Sequence, residues 1–193
     1  MSRVRFEISM SLDGYVTAAH PTLDEPMGPG GQVLHEWAFR ADATGRQSLE
    51  DSQATVGASI AGRRTYDRSI AWWGANGPGS ELRTPTFIVS HSKPDDVPEG
   101  GVYTFARTPE EALDAALAVA GEKDVDIFSA SIGAQLLRAG RVDELRIHLV
   151  PVLLGAGTRL IDDLGGRHIR LERLAASESA MASHLRYAVV NGD

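Results

Sequence analysis

The chain has 193 residues, no cysteine and a formal net charge of -7 at pH 7. We expect one domain over residues 1–193, and the lack of cysteine excludes disulfides, thiolate catalysis and cysteine-ligated metal sites. An acidic surface repels nucleic-acid phosphates, and no apolar run is long enough to span a bilayer or form a signal peptide. We therefore expect a cytoplasmic protein with no nucleic-acid or membrane partner.

The N-terminal part predicts a strand followed by a long loop. Val4, Phe6 and Ile8 alternate with charged residues, which predicts a strand that ends at the turn signal 11–14. Residues 20–34 contain three prolines and three glycines. Such a segment is typical of a long loop that serves as a binding element or a lid.

The middle of the chain alternates short strands with helices. Its clearest helix start is Thr108-Pro109-Glu110-Glu111, where Thr108 can cap the free amides and Pro109 takes the first helical position. That helix is predicted to end at Gly121. The other predicted elements are a helix at 35–41, a polar segment at 42–54 that can hold another, strands at 55–60, 86–90, 101–105 and 125–128, and a helix at 132–139.

The C-terminal part predicts strands alone. Residues 144–154 form a long, largely apolar run, and 170–177 and 184–190 are expected to form a closing antiparallel pair. Strands that alternate with helices point to a mainly parallel sheet covered on both faces. The predicted class is therefore α/β, with a mixed, mostly parallel sheet and antiparallel strands at its C-terminal end.

The junction at 62–67, where a strand ends and a short helix is predicted to begin, carries the strongest local signal for chemistry. Gly62 allows a tight turn, the start of the helix presents free amides, and Arg63 and Arg64 can fork onto phosphate oxygens, with Thr65 beside them. These are the features of a phosphate cradle. A plain helix start with two solvated arginines fits the spacing equally well.

Two further junctions are small and polar. Ser90-His91-Ser92 follows a buried strand at its carboxyl end, where ligands of parallel sheets usually bind; a polar turn is the alternative. The second junction offers amide donors to an anion, with helix capping by its serines as the alternative, and consists of Ser129, Ala130, Ser131, Ile132 and Gly133. Three such junctions in one chain predict a single extended anionic ligand, for which a dinucleotide is the economical candidate.

Other motifs give weaker signals. Gly155 and Gly157 supply two of the three glycines of a dinucleotide-binding fingerprint. The six histidines show no metal-ligand spacing, so no metal site is predicted. A serine hydrolase using Ser59 or Ser131 is a third reading, although the elbow pattern G-x-S-x-G has Ala61 where it needs glycine.

Read in order, the motifs resemble the dihydrofolate reductase-like superfamily, in particular stand-alone relatives of the reductase domain of bacterial riboflavin-biosynthesis deaminase-reductases. The matching stretches are SMSLDGY at 9–15, GRRTYD at 62–67, and LLRAGRVDEL with HLVPVLLGAG at 136–145 and 148–157. They are spread over nearly the whole chain.

The resemblance implies a three-layer α-β-α sandwich, a homodimer, and NADPH bound along the strand ends. It places the nicotinamide near the first strand and the junction at 129. Asp13 would lie beside the substrate pocket or order its own turn, the latter being favoured. The predicted cofactor-binding residues are Gly62, Arg63, Arg64, Thr65, Ser90, His91, Ser129, Ala130, Ser131, Ile132 and Gly133.

Two functions are compatible with this resemblance. The leading hypothesis is an NADPH-dependent reductase that delivers hydride to a small heterocyclic substrate, pterin-like or resembling a flavin precursor, or to a carbonyl compound. The alternative is a non-catalytic nucleotide-binding or dimeric scaffold. It is favoured by Phe128 and Ser129, which stand where members of the family usually place a glycine pair. Trp72 and Trp73 are expected in the substrate pocket, in a dimer contact or in the core.

Overall fold

The computed structural model describes residues 2–190, so residue 1 and residues 191–193 of the predicted domain lie outside the described part. The strands are β1 Val4–Ser11, β2 Tyr15–Ala18, β3 Val56–Gly62, β4 Thr86–Val89, β5 Tyr103–Ala106, β6 Asp124–Ile127, β7 Glu144–Val150, β8 Gly157–Arg159, β9 Arg170–Glu178 and β10 Ser183–Val190. The helices are α1 Glu36–Phe39, α2 Ala43–Thr55, α3 Arg63–Trp73, α4 Pro109–Ala120 and α5 Ala130–Arg138. Short 3₁₀ turns lie at Gly31–His35, Gly74–Asn76 and Ser80–Leu82.

Eight of the strands form one sheet in the order β5-β4-β3-β6-β1-β7-β10-β9. The pairs from β5 to β7 are all parallel, and β10 pairs antiparallel with both β7 and β9. The predicted mixed, mostly parallel sheet with a closing antiparallel pair is confirmed. Helices in the crossover connections cover the parallel strands, so most residues of these strands are buried and their sequences are largely apolar.

Helices cover both faces of this sheet. On one face α4 and α5 pack their apolar side chains on alternate residues of the central strands, such as Phe6, Ile60 and Ile127. On the opposite face Tyr66 of α3 packs on Ile88, and α2 lies over the other side of β1. The three-layer α-β-α sandwich is therefore confirmed.

The helix at 109–120 begins as its sequence predicts. The Thr108 hydroxyl accepts a hydrogen bond from the Glu111 amide at 3.1 Å, and the Glu111 carboxylate accepts one from the Arg107 amide at 2.9 Å. The first bond satisfies an amide that the first helical turn leaves free, and the second ties the residue before the cap to the same turn. The polar segment 42–54 holds a helix as well, since α2 begins where the Asp42 carboxylate accepts the Gly45 amide.

Three features differ from the sequence prediction. The strand predicted at 144–154 ends at Val150, because Pro151 has no amide to continue the ladder. The helix after Gly62 runs three turns, to Trp73. The two-stranded sheet of β2 and β8 was not predicted, because each strand is only three or four residues long. No helix among residues 2–190 is long and apolar enough to cross a membrane.

Candidate functional site

One large cleft runs across the sheet, and its volume is about 1370 Å³. It starts at the carboxyl ends of β3, β4 and β6 and extends beneath the loop at 21–28 to the polar face of β1 and β7. Pockets for one small ligand usually measure roughly 300–1,000 Å³. The cleft is therefore large enough for two ligands placed side by side.

The three predicted junctions meet at one end of this cleft. Arg63 Nη1 donates to Ser90 Oγ at 3.3 Å and to the Ser92 carbonyl oxygen at 3.1 Å, and the Gly62 amide donates to Ser129 Oγ at 2.8 Å. The parallel order β4-β3-β6 sets their carboxyl ends next to one another. The arginine turn and both serine turns are thus parts of one surface, as the sequence predicts.

Two helices begin at this surface without side-chain caps. Gly62 and Ser129 occupy the N-cap positions of α3 and α5, and neither provides a side-chain cap. The Ser129 hydroxyl is instead engaged by the Gly62 amide and, at 2.7 Å, by Thr65 Oγ1. The first-turn amides of both helices are therefore left for an anion, which helix N-termini bind through these amides and the helix dipole.

Arginines surround these helix starts. We call this end of the cleft the arginine half, and its lining includes Arg63, Arg64, Arg68, His91 and Arg107. Among residues 2–190, the side chains of Arg64, Arg68 and Arg107 have no acidic partner, whereas Arg63 pairs with Asp67 at 2.6 Å. A local excess of positive charge in a chain of net charge -7 suits a ligand that carries several phosphate charges.

Most of the predicted cofactor-binding residues line the cleft, but Gly133 does not. Gly133 is buried in α5 against the ring of Phe6, and a Cβ built there would lie closer than van der Waals contact to that ring. Glycine is required at this position because helix and strand approach closely. At Gly62, by contrast, a Cβ would sit 3.4 Å from Ile132, an ordinary contact that packing tolerates.

Phe128 and Ser129 have separate roles. The Phe128 ring packs edge-on against Trp73, with ring centroids 5.5 Å apart, and both residues line the cleft. Ser129 ties the end of β6 to the end of β3, as described above. Trp72 is 63% exposed and also lines the cleft. Phe128 thus forms part of an aromatic wall of the cleft, and the Ser129 hydroxyl is held between the end of β3 and the start of α3.

The other end of the cleft was not found by sequence reasoning. We call it the carboxylate half, and it is lined by Glu7 and Ser9 of β1, His35, Trp37 of α1, and His148 of β7. Glu7 Oε1 lies 3.1 Å from His148 Nε2, and Trp37 Nε1 donates to Ser9 Oγ at 2.9 Å. The Trp37 ring covers the imidazole of His148 at a centroid distance of 4.1 Å.

The charges beneath the carboxylate half are paired. Arg146 contacts both Glu7, at 3.6 Å, and Glu144, at 2.6 Å. Although burial opposes ionisation, hydrogen bonds from His148 and Ser52 lower the pKa of Glu7 to about 2. Next to it, burial raises the pKa of Asp126 to about 6, against the hydrogen bond from Arg5. Glu7 is thus a carboxylate at neutral pH.

Asp13 does not line the cleft. Its carboxylate accepts hydrogen bonds from the Ser11 hydroxyl and from the amides of Leu154 and Gly155, at 2.6, 3.1 and 2.7 Å. The hydrogen bond from Ser11, helped by those from the two amides, lowers the pKa of Asp13 to about 2. These contacts are those of a residue that orders its turn, which is the role the sequence favours.

Of the weaker candidates Gly155, Gly157, Ser59 and Ser131, only Ser131 lines the cleft. Gly157 has a φ of 146° and lies against the Thr17 carbonyl, where a Cβ would overlap it, so its role is to pair β8 with β2. Ser59 is buried inside β3, away from the cleft lining. Ser131 lines the cleft, but among residues 2–190 no histidine is hydrogen-bonded to it or to Ser59. The described geometry gives a hydrolase no support.

Comparisons with known proteins agree with this architecture. The family model "RibD C-terminal domain" matches residues 2–182. A search of curated proteins finds no match.

Similar solved structures show the fold. A Shewanella sp. PV-4 protein described as a riboflavin biosynthesis protein has a TM-score of 0.71 and 20% identity, covering 99% of this chain and 100% of its own. A pyrimidine reductase-like protein of Corynebacterium diphtheriae has a TM-score of 0.68 and 17% identity, covering 99% and 93%. The riboflavin biosynthesis reductase Rib7 of Saccharomyces cerevisiae has a TM-score of 0.62 and 15% identity, covering 98% and 90%.

Proposed function

The chain belongs to the family of RibD C-terminal domains, and from that premise we propose that it is an NADPH-dependent reductase. Its substrate would be a small heterocycle, pterin-like or resembling a flavin precursor. The observation that carries the proposal is the pair of uncapped helix starts, at Gly62 and Ser129, that open onto the arginine half of the cleft. When bound, the cofactor would supply a hydride to an electrophilic carbon of the substrate.

The arginine half fits the phosphates of NADPH. The first-turn amides of α3 and α5 would hold the pyrophosphate, because both helices are long enough to carry a dipole and both begin at the same surface. Arg64, Arg68 and Arg107 have no acidic partner among residues 2–190 and would hold the 2′-phosphate, whose charge an arginine fork matches. Arg63 would help to position the Ser90 turn.

The carboxylate half would hold the substrate. Its polar groups stand on the buried strands β1 and β7, so their positions are fixed by the sheet. Glu7 offers carboxylate oxygens to the N–H groups of a heterocycle, and the largely buried Trp37 ring packs on His148 beside it. This combination favours a flat nitrogen heterocycle over a simple carbonyl compound.

A second candidate, a nucleotide-binding scaffold without catalysis, is favoured by one observation. The Ser129 hydroxyl takes the Gly62 amide at 2.8 Å, so one backbone donor at the junction is used within the protein. With glycine at position 129, the Gly62 amide would be free to donate to a ligand. With Ser129 it is not, so the ligand has one backbone donor fewer. Such a protein would bind NADPH but would not oxidise it in the presence of any substrate.

The test is a titration of the full chain with NADPH, followed by nicotinamide fluorescence, with NADH as the matched control. We expect saturable binding of NADPH and weaker binding of NADH, which lacks the 2′-phosphate. Oxidation of NADPH would then be followed at 340 nm with a panel of pterins, aminopyrimidines and carbonyl compounds. Absence of saturable binding would overturn the reductase proposal, and binding without turnover on the whole panel would favour the scaffold.

We also propose that the protein is a homodimer that pairs through β9. This strand is the edge of the sheet, and all nine of its residues are exposed, including Leu171 and Leu174. An exposed edge with apolar side chains is a ready template for a second chain. Light scattering on a size-exclusion column is expected to give twice the chain mass, and Leu174→Asp is expected to give a monomer; a monomeric wild type would contradict the proposal.

A further inference from the structure

Four side chains form a continuous line of hydrogen bonds across three strands. Ser179 Oγ lies 2.9 Å from His184 Nε2, His184 Nδ1 lies 2.8 Å from His148 Nδ1, and His148 Nε2 lies 3.1 Å from Glu7 Oε1. The sheet register enforces the line, because His184 of β10 stands directly opposite His148 of β7. Each ring nitrogen and each oxygen in the line is within hydrogen-bonding distance of the next group.

The line connects solvent to the cleft. Ser179 is partly exposed in the turn between β9 and β10, next to the exposed Ala180. At the other end Glu7 and His148 line the carboxylate half. Between these two ends, His148 and His184 are buried, at 6% and 5% exposed. The side chains themselves, and not open water, therefore connect the solvent to the cleft.

The line is complete in two protonation patterns that differ by one proton. In the first, both imidazoles are neutral, and Ser179, His184 and His148 each donate toward Glu7. In the second, His148 carries the extra proton and donates to both neighbours. His184 then donates to Ser179, whose hydroxyl is 3.0 Å from the Ala182 carbonyl oxygen and can donate to it. Because neither pattern leaves a buried group unpaired, a proton can pass along the line at low cost.

Charged and titratable groups from several neighbouring elements surround the imidazoles of His148 and His184. Burial and the neighbouring His148 lower the pKa of His184, while acidic neighbours raise it. Burial and His148 likewise lower the pKa of His35. The groups that face the pair are Glu7 of β1, Arg146 of β7, Asp42 at the start of α2, Glu178 of β9 and His35. Three of these five groups are carboxylates and one is a guanidinium.

We propose that Ser179, His184, His148 and Glu7 form a proton relay that delivers a proton from solvent to the substrate in the carboxylate half. The use of this proton rests on the function proposed above. A hydride brings two electrons and forms a C–H bond, and the π electrons of the substrate C=N bond move to nitrogen. As negative charge develops on that nitrogen, the Glu7 carboxylate takes a proton from His148 and passes it on, so Glu7 is a carboxylate before and after the step. The relay is refilled through Ser179. The products are the reduced heterocycle and the oxidised nicotinamide.

The first test needs neither cofactor nor substrate. Imidazole nitrogen signals are recorded by NMR against pH for the wild-type chain and for Ser179→Ala, His184→Gln and His168→Gln. The last is the matched control, because His168 is an exposed histidine outside the cleft lining. We expect the His148 and His184 signals to respond to pH together, because two interacting rings titrate as a pair, and we expect His184→Gln to abolish this shared response. Independent midpoints for the two rings, with His148 unmoved in that variant, would overturn the relay.

The second test separates the relay from the proposed function. In Ser179→Ala, which changes only the solvent end, we expect kcat to fall about 100-fold with an altered pH profile, while the NADPH dissociation constant stays at the wild-type value. His168→Gln should match the wild type in both. If NADPH does not bind to the wild type, the reductase proposal fails. If it binds and turns over but Ser179→Ala keeps the wild-type pH profile, the relay fails alone.

Discussion

The two halves of the cleft are built in opposite ways. The arginine half consists of helix starts and partly or fully exposed arginines of α3 and of the loop before α4, with hydrogen-bonding groups left open. The carboxylate half stands on the central strands β1 and β7, and its ionisable groups are already paired with one another. The arginine half can therefore bind an anion from solvent, whereas the charges of the carboxylate half are already neutralised by one another. Changes in the carboxylate half should therefore alter stability and pH response, and changes in the arginine half should alter binding alone.

The largest effect is expected at Glu144, which anchors the ion pairs beneath the carboxylate half. Its carboxylate is 1% exposed and contacts Arg3, Arg146 and Arg186. Glu144→Gln leaves Arg146 buried without its main partner, so we expect the free energy of unfolding to fall by about 3 to 5 kcal/mol. Urea denaturation measures this loss. Glu50→Gln, at an exposed position of α2 away from the proposed dimer edge, is the control and should change it by less than about 0.5 kcal/mol.

The next effect is a dependence on pH that comes from Glu7. Its pKa in the folded protein is about 2, below the ordinary 4.5. A lowered pKa contributes stability that is present above pH 4.5 and is lost as the pH falls toward 2, and the total is about 3 kcal/mol. Glu7→Gln should remove this part of the acid-induced loss, as measured by unfolding at several pH values. An acid limb in Glu7→Gln equal to that of the wild type and of the exposed control Glu50→Gln would contradict this account.

A smaller effect is expected at Gly133, which was predicted to bind the cofactor but does not line the cleft. Gly133→Ala places a methyl group against the Phe6 ring, so we expect a loss of about 1 to 3 kcal/mol in the free energy of unfolding. Ser131→Ala, on the exposed side of the same helix, should change it by less than about 0.5 kcal/mol. If Gly133→Ala weakened NADPH binding without changing stability, this glycine would belong to the site after all.

The smallest effect on stability is expected in the arginine half. Arg64→Gln should leave the free energy of unfolding within about 0.5 kcal/mol of the wild type, because the side chain is exposed and, among residues 2–190, has no ion-pair partner. It should weaken NADPH binding about tenfold, through the loss of about 1.4 kcal/mol of phosphate contact. Arg141→Gln, distant from the cleft, is the control. Equal NADPH affinity in both variants would remove Arg64 from the proposed site.

The arginine half could be predicted because its signals are local. A glycine, two arginines and a helix start are adjacent in sequence at 62–65, and the serine turns at 90 and 129 follow strands directly. Parallel strands bring such junctions to one edge of a sheet whatever the order of the strands. The placement of Gly133 was less predictable, because its partner Phe6 is distant in sequence.

The carboxylate half could not be predicted, because its residues meet only through strand register. Glu7 and His148 are 141 positions apart, and His184 follows 36 positions later. In the sequence each is one polar residue in an alternating strand, which ordinarily indicates a solvated face. The available signal was the combination of charged residues in β1 and in β7, two strands that a covered parallel sheet buries on both faces.

The packing of Trp37 against the two histidines has a practical consequence. Its indole centroid is 4.1 Å from that of His148 and 4.8 Å from that of His184. An indole ring attracts a cationic imidazole, and a protonated imidazole quenches indole emission more strongly than a neutral one. The ring therefore serves as an intrinsic optical reporter of charge at the strand pair, so proton movement there could be followed in unlabelled protein on the stopped-flow time scale.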